Sequence, residues 1–168
     1  MIILGLDPGT AIVGWGVIDT GLRHDVSKAT CVAYGVITTD KSLSDSRRLV
    51  AIATGVEAVL KQYTPDLVGV ERLFFARNQT TAMTVSQARG VLLLIIEQQG
   101  IDLMEFTPLQ VKQALTGYGR AEKAQIQQMV KLLLHLPGIP KPDDAADALA
   151  IALTAGQTAQ FTDRPPRS

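Results

Sequence analysis

The sequence IILGLDPGTAIVGWGVID at residues 2–19 predicts a β-hairpin. Two runs rich in aliphatic and β-branched residues, 2–7 and 12–19, flank the turn sequence Pro8-Gly9-Thr10. A third run of the same character at 30–38 follows a loop, so we expect a three-stranded antiparallel meander at the start of the chain.

Beyond the meander the sequence alternates between helix and strand patterns. Right-handed crossovers place the later strands parallel to the first one and beside it. The element order therefore predicts an α/β fold with a mixed five-stranded sheet, three antiparallel strands and then parallel ones, flanked by helices on both faces. The predicted elements are helices at about 44–63, 78–99, 108–116, 121–135 and 143–155, and strands at 67–70 and 103–106.

The composition is that of one globular domain. Of the 168 residues 46% are apolar and 19% are charged, which argues against disorder. We expect a domain over 1–157 and a polar tail over 158–168. The longest apolar run, 91–96, is far shorter than a membrane span, and the single cysteine, Cys31, suits a reducing compartment. A soluble, cytoplasmic protein without a membrane partner is expected.

Charge is distributed unevenly along the chain, although 16 basic and 16 acidic residues give no net charge. Residues 72–142 carry 8 basic and 4 acidic side chains, whereas 1–71 carry 6 and 8, and 143–168 carry 2 and 4. A basic middle segment can bind phosphates if the acidic residues of the flanks are gathered for another purpose.

Two acidic residues directly follow apolar strands. Asp7 ends the run at 2–6 and Glu71 ends the run at 67–70, so both are expected at the carboxyl ends of central strands, where such sheets bind ligands. Turn chemistry alone also explains Asp7, because Asp-Pro-Gly is a favoured turn sequence. Glu71 is a poor turn former and needs a partner among its apolar neighbours.

A second acidic group, Asp143-Asp144-Ala145-Ala146-Asp147, opens the last predicted helix. Acids in a first turn stabilise a helix, which explains Asp143 or Asp144 but explains Asp147 less well. Either of the first two shares a helix face with Asp147, so the spacing alone does not choose between them.

Four gathered carboxylates repel one another unless a cation lies among them. Oxygen ligands without histidine or cysteine favour Mg²⁺ or Mn²⁺. Two such ions about 4 Å apart are the usual means of hydrolysing phosphodiesters, so the acids point to a nuclease.

Six sequence blocks occur in order along the chain: ILGLDPG at 3–9, VERLF at 70–74, QARGV at 87–91, QVKQ at 110–113, AEK at 121–123 and DAADALA at 144–150. With these blocks the chain resembles the bacterial RuvC family of Holliday-junction resolvases from residue 1 to about 154. The resemblance implies an RNase H-like fold, a homodimer, and Mg²⁺-dependent paired nicking of four-way junctions that leaves 5′-phosphate and 3′-hydroxyl ends. It also implies the branch-migration proteins RuvA and RuvB as partners.

The family's residues are carried over position by position. Its catalytic, metal-binding acids match Asp7, Glu71, Asp144 and Asp147, which favours Asp144 and leaves Asp143 as a cap or outer charge. Phe74 matches an aromatic residue thought to stack on bases, although packing with Phe75 also explains it. Lys112 and Lys123 match lysines near the scissile phosphate or the DNA backbone, although solvated helix surfaces also account for most lysines. Further DNA-binding candidates are Arg77, Asn78, Arg89 and Arg120.

Three other functions compete with the resolvase. The sequence GLDPGT at 5–10 also resembles the first phosphate loop of the sugar kinase and actin superfamily, but the chain is too short for the two lobes of those proteins. A DNA-binding protein without catalysis leaves the acids unexplained. A related nuclease that acts on RNA or another structured nucleic acid is the third alternative, and Phe74 and the two lysine blocks favour the junction resolvase over it.

The helix at 78–99, apolar on more than one side, is assigned to a dimer interface.

Overall fold

A computed structural model describes residues 1–21, 25–72 and 79–162. Its five strands form one sheet in the order β3-β2-β1-β4-β5. The first three strands are antiparallel, whereas β4 pairs parallel with both β1 and β5, so the predicted mixed sheet is confirmed. The strands are β1 (Ile2–Asp7), β2 (Ile12–Asp19), β3 (Thr30–Thr38), β4 (Leu67–Glu71) and β5 (Asp102–Phe106).

Helices cover both faces of the sheet. One apolar cluster joins β1, β2 and β4 to α1 and α2, and a second joins the opposite face to α3, α4 and α5. This arrangement confirms the two-sided α/β fold. The helices are α1 (Asp45–Tyr63), α2 (Gln79–Gln98), α3 (Pro108–Thr116), α4 (Lys123–Leu133) and α5 (Asp143–Thr162).

One local prediction was wrong. The last helix was expected to end at residue 155, but α5 continues to Thr162, and a Cβ on Gly156 would lie 3.0 Å from the Ile3 side chain. The loop before β3 contains a short 3₁₀ helix, Val26–Lys28, which the Asp25 side chain caps. Val26 is buried in the same apolar cluster as residues of α5.

The helices that carry the two predicted lysines have well-defined starts. Thr107 caps α3 through a reciprocal pair of hydrogen bonds with Gln110, and Pro108 occupies the first turn. In α4 the Glu122 amide donates to Gln125 Oε1 at 2.8 Å. These contacts fix the first turns of both helices at the edge of the sheet.

Glycines let α5 lie directly on the sheet. Gly5 of β1 pairs with Gly16 of β2 and with Gly69 of β4, which forms a row of glycines across three strands. A Cβ on Gly5 would lie 2.0 Å from the Ala148 carbonyl oxygen. Helix and strand backbones are therefore in contact, with no room for a side chain between them.

Replacing Gly5 with alanine is expected to destabilise the protein strongly, because the obstacle is backbone and cannot rotate away. We expect a loss of at least about 3 kcal/mol in the free energy of unfolding, measured by urea denaturation followed by circular dichroism. The control is Gly138→Ala, whose added Cβ meets nothing within 4 Å. Equal stability of the two variants would contradict the contact.

Candidate active site

The predicted acids meet at the carboxyl ends of β1 and β4. Asp7 is the last residue of β1 and Glu71 the last residue of β4, and these strands are neighbours in the sheet. Asp147 of α5 faces the same cavity of about 260 Å³. The cavity is lined by Asp7, Glu71, Asp147, Lys112 and Lys123, and by the apolar groups of Pro108, Val111, Ile126, Ala150 and Ile151.

Asp144 lies beside this cavity, on the side of Asp7. A Cβ on Gly14, which pairs with Asp7, would lie 2.0 Å from the Asp144 backbone oxygen. Its negative charge contributes to raising the pKa of Asp7. The side chain of Asp143 is 46% exposed, and the Lys141 ammonium contacts it at 3.0 Å. Of these two acids, only Asp144 contributes to the raised pKa of Asp7.

Burial and mutual repulsion perturb the acids. Burial, followed by the charges of Glu71, Asp147 and Asp144, raises the pKa of Asp7 to about 8. Burial and the charge of Asp147 raise the pKa of Glu71 to about 7, against the opposing effect of the two lysines. Burial also raises the pKa of Asp147. The site therefore holds more negative charge than it can carry near neutral pH without a bound proton or cation.

Lysines partly compensate this charge. Lys123 Nζ lies 2.9 Å from Asp147 Oδ2 and 3.8 Å from Asp143 Oδ2, and the hydrogen bond to Asp147 raises the pKa of Lys123. Lys112 lines the cavity from α3, and its charge lowers the pKa of Glu71. Both lysines face the acids, and their contact with DNA stays a prediction.

Of the remaining DNA-binding candidates, the structure describes Arg89 and Arg120. Phe74, Arg77 and Asn78 lie outside the described residues, so their roles stay predictions. Arg120 is exposed in the loop before α4. Arg89 is instead held by protein groups, since it forms an ion pair with Glu105 and donates from Nε to the Glu71 backbone oxygen at 3.3 Å.

The donor chemistry of the site fits a hard divalent cation. The ligating atoms offered by Asp7, Glu71, Asp144 and Asp147 are all carboxylate oxygens, and among the described residues neither histidine nor cysteine lines the cavity. Within the same residues, no three acidic, histidine or cysteine side chains already form a cage for a metal.

Sequence reasoning missed two contributors to this site. One is Gly14, which lets the start of α5 approach the end of β1, and the other is the pair of Arg89 and Glu105 behind Glu71. Glycines at alternating positions within the apolar run at 12–19 were a usable signal for a close backbone approach. The ion pair joins a helix to a distant strand and leaves no comparable pattern.

Comparison with known proteins agrees with this geometry. The family model described as "Crossover junction endodeoxyribonuclease RuvC" matches residues 3–155. The chain belongs to the RuvC family. The crossover junction endodeoxyribonuclease RuvC of Brevibacillus brevis is 53% identical over 161 residues, which cover 96% of this chain and 95% of the relative. That of Heliobacterium modesticaldum is 53% identical over 153 residues, covering 91% and 92%.

Solved structures extend the comparison to three dimensions. RuvC of T. thermophilus in complex with Holliday junction substrate is 33% identical, covers 99% of both chains and gives a TM-score of 0.86. The yeast mitochondrial Holliday junction resolvase Ydc2 shares the fold at 17% identity, with a TM-score of 0.67 over 94% of this chain and 80% of that one. Among the helices in the described part of this chain, none is long and apolar enough to cross a membrane.

The raised pKa values predict that the metal-free protein loses stability as pH rises. The folded pKa of Asp7, about 8, lies above its ordinary value of 3.8, so between these values the folded state binds a proton that the unfolded state releases. The free energy of unfolding should therefore fall from pH 6 to about pH 8 in EDTA and level off above it. Thermal unfolding at several pH values measures this.

The Asp7→Asn variant should show a shallower fall and exceed the wild-type Tm at pH 8.5. Glu57→Gln, at an exposed position on α1, serves as control and should keep the wild-type slope. A slope for Asp7→Asn equal to that of the wild type would contradict the assigned pKa of Asp7.

Proposed function

We propose that this protein is a structure-specific endodeoxyribonuclease that resolves four-way DNA junctions in recombination and repair by paired, symmetric nicks. The observation that carries the proposal is the convergence of Asp7, Glu71 and Asp147 with two lysines in one cavity, in a member of the RuvC family. The T. thermophilus relative in complex with Holliday junction substrate supports the choice of substrate.

Asp7, Glu71, Asp144 and Asp147 are the residues proposed to hold Mg²⁺, two ions per site, with Mn²⁺ able to substitute. Supporting this assignment, the repulsion that raises the pKa of Asp7 and Glu71 is relieved when a cation binds. Two bound ions would activate the attacking water and stabilise the 3′ oxygen that leaves as the P–O3′ bond breaks, so the products would carry 5′-phosphate and 3′-hydroxyl ends.

The two lysines are proposed to bind the substrate phosphates. Lys123 lies within 2.9 Å of Asp147, so its ammonium can exchange a carboxylate partner for a phosphate oxygen at the mouth of the cavity. Lys112 of α3 lines the same cavity, and its charge lowers the pKa of Glu71. Phe74 is proposed to stack on junction bases, with Arg77 and Asn78 on the adjoining backbone. These positively charged contacts imply that junction affinity falls steeply with salt.

A homodimer is proposed to pair the two sites through α2. Four of the exposed residues on this helix, Met83, Gln87, Gly90 and Leu94, follow one another at intervals of four, three and four and therefore share a face. The side chains of Met83 and Leu94 are 64% and 57% exposed, and Gly90 leaves space for close approach. A two-fold axis through this stripe relates two cavities, as symmetric cutting requires.

The cellular setting is proposed from the family. A cytoplasmic location, expected from the single cysteine Cys31, and cooperation with RuvA and RuvB, implied by the resemblance, both fit a junction-processing role. Co-sedimentation with RuvA and RuvB on a synthetic junction tests the partnership directly.

A junction-cleavage assay tests the catalytic proposal. Wild type, Asp7→Asn and the exposed-site control Glu57→Gln are incubated with a labelled four-way DNA junction, a matched duplex and an RNA–DNA hybrid, in Mg²⁺ or EDTA. We expect Mg²⁺-dependent symmetric nicks on the junction alone, lowered at least about 100-fold in Asp7→Asn with binding retained, and unchanged in Glu57→Gln.

Other outcomes of the same assay identify the competing functions. Binding without cutting in Mg²⁺ or Mn²⁺ would indicate a protein that only holds branched DNA. Preferential cutting of the hybrid would indicate a nuclease that acts on RNA. Failure both to bind and to cut would reopen the nucleotide-binding interpretation.

The dimer predicts a separate result. Leu94→Glu introduces a charge into the stripe on α2 and should yield a monomer by light scattering, because two facing copies would bury unpaired carboxylates. Single nicks are then expected to replace simultaneous paired nicks in a supercoiled cruciform plasmid. Val50→Glu, at an apolar position of α1 that is 65% exposed, is the matched control and should remain dimeric. A wild-type protein that is already monomeric would refute the coordinated mechanism.

A further inference from the structure

An ion pair lies directly behind the proposed metal ligand Glu71. Arg89 of α2 reaches two acceptors at once, donating from Nε to the Glu71 backbone oxygen at 3.3 Å while its Nη2 contacts Glu105 Oε2. The side chains of Arg89 and Glu105 are only 21% and 25% exposed, so water screens this contact far less than a surface pair.

The backbone at Glu71 is held mainly from one side. The register between β1 and β4 ends at Val70, one residue before the acid. On the other side the Glu71–Phe106 pair and the Arg72 amide, which donates to the Phe106 oxygen at 2.7 Å, extend the pairing with β5. Arg89 therefore donates a hydrogen bond to the end of β4, at Glu71, where the pairing of β4 with β1 has already ended.

Glu105 has a second, weaker cation nearby. Arg72 Nε lies 3.8 Å from Glu105 Oε1, and its side chain is 57% exposed, so its attraction is reduced by solvent. Arg89 is the closer and more buried partner. Its loss would leave a largely buried carboxylate opposite Val70, behind the proposed metal ligand Glu71.

We propose that Arg89 is a positioning residue for Glu71, held in place by Glu105. This inference rests on the proposed role of Glu71 as a metal ligand. The planar guanidinium spans a carbonyl oxygen and a carboxylate together, which a lysine ammonium on a flexible stem cannot reproduce. Arg89 thereby fixes the backbone from which the Glu71 carboxylate extends.

The position of Arg89 on α2 gives this contact a second consequence. Its neighbour in the chain, Gly90, lies in the exposed stripe proposed to face the partner subunit, whereas Arg89 turns inward toward Glu71. These two adjacent residues connect the proposed dimer helix to a proposed metal ligand. A shift of α2 would therefore change the position of the Glu71 backbone.

The decisive variant is Arg89→Lys, which keeps the charge beside Glu105 but loses the two-acceptor geometry. We expect junction binding in EDTA to match wild type. The Mn²⁺ dissociation constant measured by calorimetry on the DNA-free protein, and the Mg²⁺ concentration for half-maximal cleavage, should both rise about tenfold. Saturating metal should restore most of the cleavage rate.

The control is Arg72→Lys, which alters the other cation beside Glu105 and should leave both metal constants at wild-type values. Wild-type metal constants in Arg89→Lys would overturn the proposal and reduce Arg89 to a counter-charge.

If Arg89→Lys fails to fold, Glu105→Gln decides, because an amide holds the guanidinium less firmly. A smaller rise in both constants supports positioning, and unchanged constants overturn it. A wild-type protein that binds no metal and cuts no junction would instead refute the proposed function.

Discussion

The contact of the α5 backbone with the glycines of the sheet is the constraint on which the site depends. At Gly5 a strand and a helix lie closer than any side chain permits, and Gly14 repeats this closeness next to Asp7. A helix carried on ordinary side chains would be held farther from the sheet, at a distance where Asp144 and Asp147 could not join Asp7. The active-site geometry thus depends on the missing Cβ atoms of Gly5 and Gly14.

Repulsion between the gathered carboxylates opposes the close packing of helix and sheet. The same close approach that brings the acids together buries them and raises the pKa of Asp7 and Glu71. Lys123 offsets part of this repulsion through Asp147, and the ion pair of Arg89 and Glu105 supports the backbone behind Glu71. Repulsion between the buried carboxylates lowers the stability of the folded protein, and a bound cation or proton restores it. Such perturbed groups are common at catalytic sites.

Much of this arrangement follows from local patterns in the sequence. Strand periodicity and the turn at Pro8-Gly9-Thr10 predict the meander, and acids directly after apolar strands predict the location of the site. The choice of Asp144 over Asp143 needed the family resemblance, because helical spacing serves both. Contacts between distant elements could not be predicted. Past residue 155, α5 packs at Gly156 against Val26 and Ile3, and the partner of Arg89 lies on β5.

The start of α4 contributes positive electrostatic potential from its backbone, in addition to the charge of the Lys123 side chain. Lys123 is the first residue of that helix, at the end where the helix dipole concentrates positive charge, which the Glu122 carboxylate at the cap position partly offsets. A cation is disfavoured there unless anions face it, and in this protein Asp147 and Asp143 do so. The peptide groups at the start of α4 therefore contribute part of the electrostatic attraction for an entering anion. A substitution that removes the lysine leaves that part of the attraction unchanged.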